Sequence, residues 1–174
     1  MEAHHVLFKK GFKVASYGTG SAVRLPGPSI DKPNIYSFGT PYDHIYQELK
    51  AKDPKYTQNG LLDMLDRNRK IKRAPERWQE TTGVFDVIIT CEERCFDAVL
   101  EDLINRGQER HKPTHVINIE IKDNHEDAML AGRAILHMAQ MIEKTKDIDQ
   151  DIEKLLEEWK EKYPYAILHG VTFF

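Results

Sequence analysis

The sequence predicts an α/β fold, a doubly wound parallel sheet with helices on both faces and a cap inserted into it. Two β-branched, apolar runs carry the first part of that prediction: Val84 to Thr90 (VFDVIIT) and Val116 to Ile121 (VINIEI). Each reads as a strand covered on both sides, and each is followed by a segment with helical spacing. Strand followed by helix, twice over, is the pattern of a parallel sheet with crossover helices. The third observation is the stretch from Leu25 to Lys55, which holds five of the eight prolines and suits neither part of such a unit. It reads as an insertion.

Glu2 to Lys10 places Ala3, Val6 and Leu7 at helical spacing, and Gly11 is suited to end that helix. No strand feeds it and no residue precedes Met1 to cap it, which is odd for an α/β protein. Phe12 to Tyr17 (FKVASY) alternates apolar and polar residues like a strand and runs into the turn Gly18-Thr19-Gly20. Inside the insertion, Tyr42 to Lys52 carries Ile45, Tyr46 and Leu49 on one face, and Asn59 to Asn68 carries Leu62 and Leu65. Residues 25–80 are therefore expected to form a loop and helix cap within a single domain spanning 1–174. Helices are expected over Glu92 to Asn105, His125 to Lys144 and Ile148 to Tyr163, and a last strand over Ala166 to Phe174. There is no internal repeat.

Composition narrows the class. Forty per cent hydrophobic and 30% charged residues describe a globular chain, and no apolar run reaches the roughly 20 residues that cross a bilayer. The amino terminus lacks the basic, apolar and small-residue succession of a secretory signal, so an intracellular location is expected. Two cysteines, Cys91 and Cys95, permit no disulfide framework, and a net charge of −3 gives no overall attraction to nucleic acid.

The residue with most functional promise is Asp123. It follows the strand Val116 to Ile121 at its carboxyl end, the rim at which open parallel α/β sheets bind ligands. The competing reading is that Asp123 or Asn124 only caps the helix beginning at His125. Cys91 also ends a strand, but a phosphate-attacking thiolate needs a C-x5-R-S/T loop. Arg94 stands three residues after Cys91 and Asp97 six after it, while Glu101 stands six after Cys95, so neither cysteine completes that loop. A metal held by Cys91, Cys95 and His125 or His115 is an alternative with only half a ligand set. The stretch Arg67 to Arg77 (RNRKIKRAPER) holds six cations and precedes Trp78; it reads either as a solvated helix end or as a surface for an acidic partner. His4 and His5 project to different helix faces, and Gly18-Thr19-Gly20 completes no phosphate-binding fingerprint.

In order and spacing, MEAH, SYGTG, RLPGP, DKPN, YTQNGLL, MLDRN, PERW, TCEER, DNHED and LHGVTFF span nearly the whole chain. This succession closely resembles the family of phosphatases that act on the carboxyl-terminal domain of RNA polymerase II. The resemblance implies a fold of the low-molecular-weight tyrosine phosphatase type. It implies that Asp123 is the general acid protonating a leaving seryl oxygen. Arg24, Leu25, Pro26, Gly27, Tyr56 and Met64 resemble a groove for a phosphoserine-proline peptide, and Met1 and His4 match the start of a helix whose amino end points at the phosphate. No metal or other cofactor is implied, since a thiolate and an arginine do that work. The implied partners are the phosphorylated polymerase tail and scaffold proteins of messenger RNA 3′-end processing, with no direct nucleic acid and no membrane. The implied location is the nucleus, with the cytoplasm second.

In that family a first strand and the C-x5-R-S loop precede M-E-A-H, whereas this sequence starts at the Met. Two expectations follow. In one, the 174 residues are an amino-terminally truncated or wrongly started form of an active enzyme, with a sheet left open in its middle. In the other, they are a non-catalytic module that binds phosphopeptide or scaffold.

Overall fold

Along the chain run α1 (Glu2–Lys9), β1 (Val23–Ser29), β2 (Lys32–Tyr36), α2 (Tyr42–Lys52), α3 (Lys55–Gln58), α4 (Leu61–Ile71), a 3-10 turn at Trp78–Glu80, β3 (Val87–Thr90), α5 (Glu93–Asn105), β4 (Pro113–Ile119), α6 (His125–Lys144), α7 (Ile148–Lys162) and β5 (Ile167–Phe173). These come from a computed structural model that describes residues 1–174. They form two units, Met1–Ala15 with Gly83–Phe174, and Ser16–Thr82.

The first unit is built on a three-stranded sheet in the order β3-β4-β5. β3 and β4 are parallel, as the strand-helix-strand pattern implies, with Ile89 opposite Ile117. β5 runs antiparallel to β4, so the sheet is mixed rather than wholly parallel. The reason is connectivity: one helix separates β3 from β4, whereas two successive helices, α6 and α7, separate β4 from β5. On the way to β5 the chain therefore reverses an odd number of times and re-enters the sheet in the opposite direction. As the central strand, β4 is buried from Thr114 through Ile119.

Ile117 and Ile119 pack with Leu7 of α1, Ala134, Ile135 and Met138 of α6, and Ile152, Leu155, Leu156 and Trp159 of α7. Side chains of this kind each stabilise the fold by about 1.5–3 kcal/mol when fully buried. The Trp159 indole also donates a 2.8 Å hydrogen bond to the Ala134 carbonyl, which locks α7 on α6 without an orphaned donor. Asn124 caps α6 by accepting from the Asp127 amide, and Asp147 caps α7 by accepting from Asp149 and Gln150.

Phe12 to Tyr17, expected as a strand, joins no ladder. Its alternation serves burial alone, with Phe12 and Val14 packed against the core.

In the second unit the proline-rich stretch departs from the expected loops by forming an antiparallel hairpin of β1 and β2. Pro26 and Pro28 have no amide hydrogen to donate, and the register accommodates them by slipping between Leu25 and Ser29. Gly27 lies at the centre of this bulge, where a Cβ would stand 1.8 Å from the Lys32 carbonyl oxygen. Behind the hairpin, Tyr42, Ile45, Leu49, Tyr56, Leu61, Leu62 and Leu65 form a core of their own.

The two ends of this unit are stitched together. The Gly18 amide donates to Glu76 (2.9 Å) and the Trp78 amide to Gly18 (2.8 Å). Arg77 and Gln79 side chains hold the Gly20 and Thr19 carbonyls, and Lys72 holds that of Ser16.

Candidate functional site

The acid singled out in the sequence lies four residues beyond the end of β4, in the short loop that leads to the Asn124 cap of α6. Asn124 performs the capping, and the Asp123 side chain is exposed and makes no hydrogen bond or ion pair within the chain. The loop itself is well anchored. The Glu120 amide donates to Ala166, and the Ile121 amide donates to Cys91 at 3.1 Å, which ties the two rim loops of the parallel pair together.

Beneath them runs a polar chain. The Thr90 hydroxyl donates to Asn118 Oδ1 (2.7 Å), Asn118 Nδ2 donates to Glu120 Oε2 (3.0 Å), and the same oxygen accepts from the Glu93 amide (3.1 Å). Asn118 and Thr90 are buried. Glu120 thus closes the amino end of α5, where its negative charge suits the helix dipole.

Cys91 shares this rim but is unsuited to attack. Burial of its sulfur pushes the thiol up to about 11, although the residue as a whole is exposed; Cys95, Glu92 and Glu120 add to the rise. Met1 is the N-cap of α1. α1 packs on α6, where Glu2 and Val6 approach Gly132. At neutral pH essentially no thiolate forms at Cys91.

The alternative metal set is not assembled either. His115 is buried and engaged on both ring nitrogens, with His169 at 3.0 Å and Asp149 at 2.7 Å. No group of three or more His, Cys, Asp or Glu side chains is placed to hold a metal ion.

The groove candidates lie on the second unit, where the structure brings most of them together. Leu25 and Met64 are half-buried against the same core that contains Tyr56. Arg24 and Pro26 are exposed, and Gly27 is buried. Tyr56 is only 1% exposed, so it supports the surface from beneath, with its hydroxyl accepting from Asn34 Nδ2 at 3.0 Å.

Three of the six cations of Arg67 to Arg77 are drawn into ion pairs, and Arg77 donates to a backbone carbonyl. Arg69 bridges Asp43 (2.8 Å) and Asp66 (2.6 Å), Lys70 bridges Asp66 and Lys72 bridges Glu76. Part of this stretch lines a cleft of about 590 Å³ that includes none of the groove candidates. Gly18-Thr19-Gly20 turns its carbonyls to Arg77 and Gln79, as a clasp and not as a phosphate turn.

Sequence reasoning passed over Asn34, Lys55 and Asn118. Asn118 had left a signal, one amide inside an otherwise apolar strand; Asn34 and Lys55 had left none.

These features define a mixed α/β protein with an acid at the carboxyl rim of its sheet and a bulged hairpin on a separate small core. The model of the Ssu72-like protein family matches residues 1–174, and the chain belongs to that family. It is 52% identical over its whole length to the RNA polymerase II C-terminal domain phosphatase ssu72 of Schizosaccharomyces pombe, and 53% identical to the SSU72 phosphatase of Mus musculus; the matches cover 90% of each relative. Among solved structures it is similar to a crystal structure of Drosophila melanogaster Ssu72 with Symplekin, bound to a cis peptidomimetic of a phosphoserine CTD peptide. That likeness has a TM-score of 0.95 at 48% identity and covers 99% of this chain and 90% of the other. A second, to a structure described for fine-tuning of Ssu72 phosphatase activity by modifications of the polymerase C-terminal domain, has a TM-score of 0.97 at 49% identity and covers 99% and 91%.

Proposed function

We propose that this chain acts as a phosphatase on phosphoserine followed by proline in the C-terminal domain of RNA polymerase II. In this reading the phosphoryl group passes to a cysteine thiolate, Asp123 protonates the departing seryl oxygen, and the resulting carboxylate then takes a proton from the water that releases phosphate. The thiolate and its arginine are not among the 174 residues, which hold no C-x5-R-S segment. What these residues supply is the acid and the groove.

One observation carries the reading. In a chain 52% identical to a phosphatase of this name, an exposed carboxylate with no structural duty stands at the sheet's carboxyl rim. Arg24, Leu25, Pro26, Gly27 and Met64 would meet the peptide, Tyr56 would brace them from below, and Met1 would open the helix facing the phosphate. The whole of 1–174 is read as a single phosphatase domain, with 25–80 as its cap. By the same likeness the partners are the phosphorylated polymerase tail and a 3′-end processing scaffold such as Symplekin, which stands with the Drosophila relative. The place of work is the nucleus, with the cytoplasm a second location.

The test uses two substrates in the protein that carries thiolate and arginine. Asp123→Asn should lower kcat roughly 10²–10³-fold on a phosphoserine peptide, whose alkoxide must be protonated, and far less on p-nitrophenyl phosphate, whose phenolate leaves unaided. Equal losses on both, or none on either, would remove Asp123 from the chemistry.

A further inference from the structure

The bulge at Pro26-Gly27-Pro28 is held from one side by two residues outside the candidate groove set. Asn34, 7% exposed on β2, donates from Nδ2 both to the Pro26 carbonyl (2.9 Å) and to the Tyr56 hydroxyl (3.0 Å), while its Oδ1 accepts from Lys52 Nζ (2.9 Å). Lys55, at the start of α3, donates from Nζ to the carbonyls of Gly27 (3.4 Å) and Pro28 (3.2 Å). All three carbonyls of the bulge are thereby held by side chains, that of Pro26 from β2 and those of Gly27 and Pro28 from α3. The two proline rings are left exposed, and Gly27 is pressed against Lys32. A bulge deprived of ladder bonds has many conformations available, and here five side-chain hydrogen bonds in and around it select one.

We propose that Asn34 and Lys55 are positioning residues for peptide recognition: by fixing the Pro26-Gly27-Pro28 backbone they hold an apolar, proline-faced shelf rigid before a proline-containing phosphopeptide arrives. The inference rests on the reading of Arg24 to Gly27 as groove. Rigid presentation of rings without flexible side chains lowers the ordering cost of binding a segment that is itself restricted by proline. The consequence is selective. Loosening the shelf weakens peptide binding without altering how the phosphate ester is broken.

The experiment measures the affinity of a fluorescent phosphoserine-proline heptapeptide, and its KM and kcat, in the full protein and in Asn34→Asp, Lys55→Met and Lys55→Arg. Asn34→Asp keeps the side chain's shape and its acceptor for Lys52 but presents an oxygen to the Pro26 carbonyl; Lys55→Met keeps the length of an exposed side chain and removes its donors. We expect each to raise the peptide Kd and KM roughly tenfold with kcat within twofold, and Lys55→Arg, which retains donors, to recover most of the loss. Unchanged affinity in Lys55→Met, or a fall in kcat as large as the rise in KM, would overturn the inference. If the unaltered protein itself fails to bind the peptide, the groove reading falls first and takes this inference with it.

Discussion

Gly27 shows how far a single position can dictate the hairpin. A methyl group there would sit 1.8 Å from the Lys32 carbonyl oxygen, well inside any real contact, so Gly27→Ala must part the strands at the bulge. We expect it to cost about 2–3 kcal/mol and to lower Tm by roughly 5–10 °C. Gly20→Ala, where the nearest atom is 3.5 Å away, serves as the control and should melt close to the parent. Coincident melting of the two variants in a thermal scan would contradict the bulge geometry. The need for glycine between two prolines was not legible beforehand, because the clash comes from a backbone atom on the other strand. Asp123 was legible, since its position depends only on the end of an apolar run and the start of a helical one. Which of Asp123 and Asn124 caps α6 depended on loop geometry, and the structure assigns the cap to Asn124.

Long, strongly periodic elements were readable from the chain and short ones were not. α6 begins and ends where its spacing says, and α7 differs by one residue at its end, because each has a full apolar face and an Asx cap. The hairpin of β1 and β2 was hidden by its prolines, which argue against a ladder. α3, with four residues, has no period to detect. The direction of β5 is set by how the chain returns over the sheet and leaves no mark in AILHGVTFF. The polar chain joining β3, β4 and α5 gives a prediction about how these elements hold one another. Asn118→Leu should cost about 1–3 kcal/mol, because it strands the Thr90 hydroxyl and takes a donor from Glu120. Adding Thr90→Val should recover part of that loss. A urea-unfolding double-mutant cycle measures it, and strict additivity would mean that the two side chains are not coupled.

The stability of the protein should carry the imprint of one histidine. Burial first, and the neighbouring His115 second, hold His169 below its usual 6.5, with Glu153 opposing. The unfolded chain takes up its proton at the ordinary value. As pH falls through 6.5 the unfolded state therefore binds more protons than the folded one, and stability is lost down to the lowered folded value; above 6.5 this group adds no slope. Urea midpoints at about pH 7.5 and about pH 5.5 should show a smaller drop in His169→Gln than in the parent. An equal drop in both would assign the acid sensitivity to other groups.

The clasp between Ser16 to Gly20 and Lys72 to Gln79 has an evolutionary corollary. Since entry and exit of the intervening segment are fastened to each other at a neck, the distance the remainder of the polypeptide must bridge is independent of what the segment contains. Hairpin, helices and cleft can be lengthened, shortened or re-lettered as a graft, and a family can diversify what it recognises there while the strand-bearing half keeps its connectivity.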